Sequence, residues 1–168
     1  MRHRVQRKQP NSKMCFVCGL KNEFGLHASF YELDNGEVLA VFTPAAIHQS
    51  YPDRVHGGIA TAILDETIGR AIMIRHNEEV WGVTIEFTTR YRKPIPVATQ
   101  LRAVGRITVD ARRFFEGAGE ILLPDGTIAA EGWGKYLKLP PGKITAFDAQ
   151  EQEWRVTCLP DDPAEVDI

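Results

Sequence analysis

Asp65 lies in a stretch that offers a carboxylate little company. Residues 56–75 read as one long helix, with Ile, Ala, Leu and Met on nearly every side. At the helical period of about 3.6 residues, Gly58, Thr61, Ala62, Ile68, Gly69 and Ile72 all project within about 60° of Asp65. That face is small and apolar. A carboxylate there must find a partner or shift its pKa upward. Two readings follow: a functional carboxylate beside a space that a ligand or second helix fills, or a buried Asp satisfied by a hydroxyl such as Thr61. Glu66 points elsewhere and has Arg70 at i+4, which suits a plain ion pair.

Gly57 and Gly58 open the same helix. A helix N-terminus presents unpaired N–H groups and partial positive charge, and glycine lets a ligand approach that backbone. Such donors can polarise a carbonyl or hold an oxyanion. The alternative is a simple helix-entry turn. Gly57 and Asp65 are eight residues apart, so about 12 Å along the axis. One hydrolytic centre cannot use both from the same chain. Two antiparallel helices across a two-fold axis bring Gly57 of one protomer towards Asp65 of its partner, and the small face around Asp65 permits that approach.

The elements that must position these groups are legible around the helix. Length, at 168 residues with 43% hydrophobic and 25% charged, suits one globular domain. The helix is long enough to span a bilayer, but Asp65, Glu66, Arg70 and Arg75 argue against that. Leu26–Leu33 and Glu37–Thr43 flank the turn Asp34-Asn35-Gly36 and form a hairpin. Pro44–Arg54 is a connecting loop. After the helix come four strands, over 81–92, 101–109, 112–123 and 127–139. The expected order is β-β-α-β-β-β-β: an α+β domain with a six-stranded antiparallel sheet wrapped around one long central helix. Residues 1–14 read as a loose basic arm, 15–140 as the domain and 141–168 as an acidic tail with a short helix near 146–154.

Alternation in the strand after the helix sets a puzzle. Trp81, Val83, Ile85, Phe87, Thr89 and Tyr91 share one face, and Gly82, Thr84, Glu86, Thr88, Arg90 and Arg92 the other. If the apolar face packs on the helix, Thr84 looks away from it, across a dimer, or the strand is bulged.

Other chemistries find little support. Net charge is −2, which does not favour nucleic acid. No second apolar run approaches membrane length. A basic, polar start without an apolar leader and three cysteines point to a reducing, cytoplasmic setting. Cys15-Phe16-Val17-Cys18-Gly19 is a single C-x-x-C, read as a structural turn. A zinc site needs four ligands, and His27 and Cys158 are its only distant candidates. No metal and no cofactor is therefore assigned. There is no G-x-S-x-G elbow, P-loop or H-E-x-x-H.

His48-Gln49-Ser50-Tyr51-Pro52-Asp53-Arg54-Val55-His56-Gly57-Gly58, followed by Leu64-Asp65-Glu66, resembles the helix signature of hotdog-fold acyl-CoA thioesterases. The nearest likeness is to the group related to phenylacetate-degradation thioesterases. Val83-Thr84-Ile85-Glu86-Phe87, Tyr91-Arg92-Lys93-Pro94 and the segment Cys15–Leu26 add to the resemblance, which covers about residues 15 to 139. It implies a hotdog fold and hydrolysis of an acyl-CoA by a homodimer or tetramer. Asp65 then matches the nucleophile or general base, and Gly57 the backbone donor to the thioester carbonyl. Thr84 matches a hydroxyl that positions water, and His56 a residue orienting the carbonyl. His48, Gly58 and Glu66 fall in the substrate-binding region. Arg90, Arg92 and Lys93 are placed to meet coenzyme A phosphates. The rivals are a non-hydrolytic acyl-CoA-binding protein of the same fold and a hotdog dehydratase. Some subfamilies use a Glu on this helix, which makes Glu66 the competing carboxylate; the helical projection favours Asp65.

Overall fold

The computed structural model describes residues 1–168. The expected helix is present as α1, Gly57–His76, and ends on Asn77 in the left-handed conformation. Seven longer strands surround it: β1 (Arg2–Lys8), β2 (Ser29–Leu33), β3 (Val38–Phe42), β4 (Trp81–Tyr91), β5 (Leu101–Asp110), β6 (Phe114–Leu122) and β7 (Ile128–Leu139). A one-turn helix α2 (Pro141–Ile144) and a short strand β8 (Glu165–Asp167) complete the chain. The strands form one antiparallel sheet in the order β4-β7-β6-β5-β3-β2-β1-β8. No helix is long and apolar enough to cross a membrane.

The sheet therefore has eight strands, two more than expected, because both tails pair. The segment read as a loose arm is β1, hydrogen-bonded to β2 on one side and β8 on the other. It lacks the apolar alternation that marks a half-buried strand, since its partners are charges. Arg2 meets Glu165 at 3.0 Å, Arg7 meets Glu32 at 2.7 Å, and Lys8 meets Asp162 at 2.6 Å. Basic start and acidic end neutralise each other. The stretch 146–154 is a series of turns, not a helix; Trp154 nonetheless reaches back, its indole N–H donating to Glu78 at 2.9 Å.

The helix lies unusually close to the sheet because the sheet beneath it is paved with glycine. A Cβ on Gly105 would sit 2.8 Å from the Thr67 carbonyl oxygen and 2.9 Å from the Ile68 nitrogen. One on Gly117 would sit 2.4 Å from the Ile68 side chain. Ile63, Leu64, Ile68 and Ile72 are thereby fully buried against Phe30, Val38, Leu101, Phe115 and Ile121. Burying side chains of this size is worth about 1.5–3 kcal/mol each, which makes α1 the spine of the core.

Strand β4 is bulged. Its register against β7 slips between Thr84 and Glu86, leaving Ile85 as the extra residue. The bulge reverses the parity of the strand. Before it, Gly82 faces the Phe115 ring and the Cβ of Tyr136; after it, Phe87 faces Leu64 and Gly132. The alternation puzzle is resolved within one chain.

Gly105→Ala is expected to destabilise the fold by about 1–3 kcal/mol, since backbone of α1 rather than a pliable side chain blocks the new methyl; chemical denaturation measures it. Burial of the Asp162 carboxyl raises its pKa, but hydrogen bonds from Lys8 and Tyr31 outweigh this and hold it below the ordinary value. That stabilisation is complete above the usual carboxylate range and is lost as pH falls through the depressed folded value. Asp162→Asn should therefore lower Tm at neutral pH, and the difference from wild type should close in acid.

Candidate active site

Helix α1 carries two chemically distinct places. The first is its N-terminus. Of the initial N–H groups, those of Ile59 and Ala60 donate to the His56 carbonyl at 2.9 and 3.2 Å. The N–H of Gly58 donates to Nδ1 of the His56 ring at 2.9 Å. The N–H of Gly57 has no protein acceptor. His56 is thus the N-cap, and its imidazole consumes one donor and leaves Gly57 as the free one. The Gly57 carbonyl accepts from the Tyr91 hydroxyl at 2.8 Å, which ties the helix tip to β4.

Gly57 opens onto a cavity of about 480 Å³ that Tyr51, Arg54, Tyr91, Arg92 and Lys93 also line. Two of the three cations expected at the strand end are therefore here. Arg92 is also paired with Glu131 at 2.6 Å. Arg90 lies elsewhere, its guanidinium 5.6 Å from the centre of the Trp133 ring. His48 is turned into its own loop. Its Nδ1 accepts from the Ala45 N–H at 2.9 Å and its Nε2 donates to the Phe24 carbonyl at 2.8 Å. With both nitrogens used, its ring holds the loop before the helix.

The second place is Asp65. Thr84 donates its hydroxyl to Oδ1 of Asp65 at 2.9 Å. The β4 bulge makes this contact possible. Burial pushes the Asp65 carboxyl up; the Thr84 and Tyr136 hydrogen bonds oppose it and the neighbouring Glu66 charge adds to it. A carboxylate held this way binds a proton more readily than one in water, as a base requires. Thr61 does not satisfy Asp65. Its hydroxyl is taken by Thr89 at 2.9 Å and Tyr91 at 3.0 Å.

Asp65 and Thr84 line the larger cavity, of about 520 Å³. Its walls come from α1 (Glu66, Gly69, Arg70, Met73), from β4 and β7 (Trp81, Gly82, Tyr136), and from both flanking segments (Met14, Cys15, Phe147, Trp154). Sequence reasoning missed most of these. Tyr136 donates to the Asp65 carbonyl at 3.2 Å, but nothing in the β7 alternation sets it apart from a core tyrosine. Trp81 stacks edge-on against Phe147, with centroids 4.8 Å apart, and lies 5.2 Å from Trp154. Phe147 and Trp154, two aromatic residues in an otherwise polar C-terminal segment, were the available signal.

Glu66 makes the expected ion pair, 2.8 Å from Nε of Arg70. Arg70 is only 2% exposed, so its end of the pair is buried, while Glu66 is partly open. Cys15 and Cys18 also face this cavity. A hydrogen bond from Cys15 draws the Cys18 thiol down to about 6, against burial and with help from the Arg70 charge. Neither His27 nor Cys158 joins these cysteines: His27 bonds the Asn22 carbonyl at 2.6 Å and Cys158 is exposed.

If Asp65 serves chemistry rather than stability, Asp65→Asn keeps the Thr84 hydrogen bond and sheds the cost of a half-buried charge. Its Tm at neutral pH should equal or exceed that of wild type; a fall of several degrees would mark Asp65 as a structural residue.

Known proteins resemble this chain in sequence and fold. Residues 53–130 match the model of the thioesterase superfamily. The acyl-coenzyme A thioesterase THEM4 of Mus musculus is 25% identical over 118 residues, covering 70% of this chain and 50% of its own. The chain thus spans half the length of that curated relative. A solved thioesterase superfamily protein superposes with a TM-score of 0.66 at 27% identity, over 72% of this chain and 58% of that one. The E. coli PaaI protein from the phenylacetic acid degradation operon has the same fold, with a TM-score of 0.61 at 18% identity over 68% of this chain and 80% of its own. Fold, helix signature and matched segment are all similar to those of hotdog-fold proteins of the thioesterase superfamily.

Proposed function

We propose that the protein hydrolyses an acyl-coenzyme A thioester at two equivalent sites in a homodimer, each built from both protomers. The observation that carries this is the division of labour along α1. The free N–H at Gly57 and the Asp65–Thr84 pair are the two halves of an acyl-transfer site, an electrophile holder and a base. Eight residues separate them, about 12 Å of helix. A second copy running antiparallel supplies the missing half to each.

Two features favour such pairing. Strand β4, 11 residues long, forms one end of the sheet with its outer edge unpaired, and Ile85 there is half exposed. A long, apolar free edge is a ready surface for another strand. The face of α1 carrying Gly58, Ala62, Asp65 and Gly69 is also left partly open by the sheet. Its small side chains allow a neighbouring helix to come close.

In the proposed reaction the thioester carbonyl oxygen accepts from the Gly57 N–H, where the helix dipole adds to the polarisation. Asp65 of the partner protomer then takes a proton from water as the water attacks and the coenzyme A thiolate departs with a proton, or attacks the carbonyl itself, expelling coenzyme A and forming an acyl anhydride that water then hydrolyses. Thr84 holds the carboxylate in place, and the free acid and coenzyme A leave. Arg92 and Lys93, in the cavity beside Gly57, suit coenzyme A phosphates. The acyl group occupies the aromatic-walled cavity beside Asp65. A hypothetical thioesterase protein from Streptococcus pneumoniae, alike in fold at 17% identity, has been solved with coenzyme A. An acyl-CoA-binding protein without turnover would bind the same ligands but release no thiol.

Mixing two inactive variants tests the shared site. Asp65→Asn should reduce kcat about 100-fold or more. Gly57→Pro should do likewise by deleting the free N–H, at the first helical turn where proline is tolerated. Random reassortment of the two chains leaves half the dimers mixed, each with one intact site, so thiol release should recover to about a quarter of wild type. Activity in wild type without such recovery, or a monomer on sizing, would overturn the shared site. No thiol release by wild type from short, long or aromatic acyl-CoAs would leave only binding.

A further inference from the structure

We infer that Cys15, Cys18 and Glu66 form a binding site for one thiophilic divalent cation of the Zn²⁺ class. The inference stands apart from the hydrolytic reading and uses none of its steps.

The geometry is a three-point convergence. The two thiol sulfurs and a Glu66 carboxylate oxygen all lie within 4.8 Å of one another. Around a tetrahedral zinc, with metal–sulfur bonds of about 2.3 Å and metal–oxygen bonds of about 2.0–2.2 Å, such donors stand roughly 3.5–3.8 Å apart. A closing of about 1 Å completes the site, within reach of side-chain rotation. Sequence spacing could not show this. It offered His27 and Cys158, whereas the third donor arrives from α1, 48 positions beyond Cys18.

The surroundings are built for sulfur ligands. The backbone N–H groups of Val17 and Cys18 both aim at Sγ of Cys15, at 3.3 and 3.4 Å. Ser12 Oγ accepts from the Cys15 N–H at 3.3 Å, which leaves its own proton to donate to Sγ of Cys18 at 3.4 Å. Gly19 permits the tight turn that aims these groups, since a Cβ there would sit 2.4 Å from the Cys15 carbonyl oxygen. Donors directed at both sulfurs form the outer shell that orients metal-binding thiolates.

The third ligand is fixed as well. Arg70 Nε holds Oε1 of Glu66 at 2.8 Å, and Arg70 Nη1 is anchored on the Pro10 carbonyl at 2.9 Å. The second carboxylate oxygen has no protein partner and is left for the cation. Charge also closes. A divalent cation, two thiolates and the Glu66–Arg70 pair sum to a neutral loaded site, with the thiol protons going to solvent, so no uncompensated charge is buried. All three ligand residues line the larger cavity, so the fourth position is filled from it, by water or by a ligand oxygen. The cation would clamp the segment carrying Cys15 and Cys18 onto α1 one residue past Asp65, and with it one wall of that cavity.

The test uses full-length, fully reduced, metal-free protein titrated with Co²⁺ under anaerobic conditions. One equivalent should produce a thiolate-to-cobalt charge-transfer band, which Zn²⁺ should then displace. Cys15→Ser and Cys18→Ser should abolish the band, Glu66→Gln should weaken cobalt binding about tenfold or more, and Cys158→Ser should leave it unchanged. Zn²⁺ should raise the Tm of wild type but not of Cys18→Ser, with circular dichroism confirming that each variant folds. Absence of the band in wild type, its survival in either Ser variant, or cobalt affinity unaltered in Glu66→Gln would overturn the site. So would quantitative closure of a Cys15–Cys18 disulfide by mild oxidant in the presence of excess Zn²⁺.

Discussion

The close seating of α1 on a glycine-paved sheet is the constraint that everything else obeys. Where Gly105 meets the backbone of Thr67 and Ile68, no side chain separates helix from strand. Gly117 leaves the same kind of room for the Ile68 side chain. Packing this tight fixes the helix in rotation as well as in height, because protein interiors respond to changes as small as a methylene. Rotation decides which residues of α1 face the sheet and which remain open. With Ile63, Leu64 and Ile68 turned fully inward, Asp65 is left half-buried beside β4, and Gly58, Ala62 and Gly69 lie along the same open stripe. The site is a consequence of how the core is packed.

Strand β4 depends on that seating and adds a second device. A regular strand would place Thr84 and Phe87 on opposite faces. The extra residue at Ile85 lets both reach α1, so one strand supplies a hydroxyl to Asp65, apolar packing to Leu64 and the Tyr91 hydroxyl to the helix tip. A bulge interrupts the ladder locally, and such interruptions recur beside functional groups because they re-aim side chains. Here it lets the strand touch both ends of the site at once.

The flanking segments were expected to be appendages and are structural instead. β1 and β8 extend the sheet through backbone pairing and complementary charge. The aromatic residues Phe147 and Trp154 close the cavity next to Asp65. These segments lie outside residues 53–130, the stretch matched by the superfamily model. The matched stretch holds the helix and the strands beneath it, while the outer wall of the cavity beside Asp65, Cys15 and Cys18 included, comes from segments outside that stretch.

Local chemistry was legible without a structure. The long helix, the hairpin turn, the four later strands, the isolated Asp65 and the glycine entry all follow from periodicity and turn residues, which act over a few positions. So did the Glu66–Arg70 pair, because i and i+4 are neighbours on any helix. What the chain alone left open were matters of one residue's parity and of contacts between distant segments. It could not choose between Thr61 and Thr84 as the partner of Asp65, since that choice rests on a single inserted position in β4. It showed no strand in residues 2–8, since charge pairing with 165–167 leaves no apolar alternation to read. Nor could it bring Glu66 to Cys15 and Cys18. Sequence dictates the elements because backbone preferences are local; only tertiary packing decides which side chains meet, because the surfaces that press them together come from the whole chain.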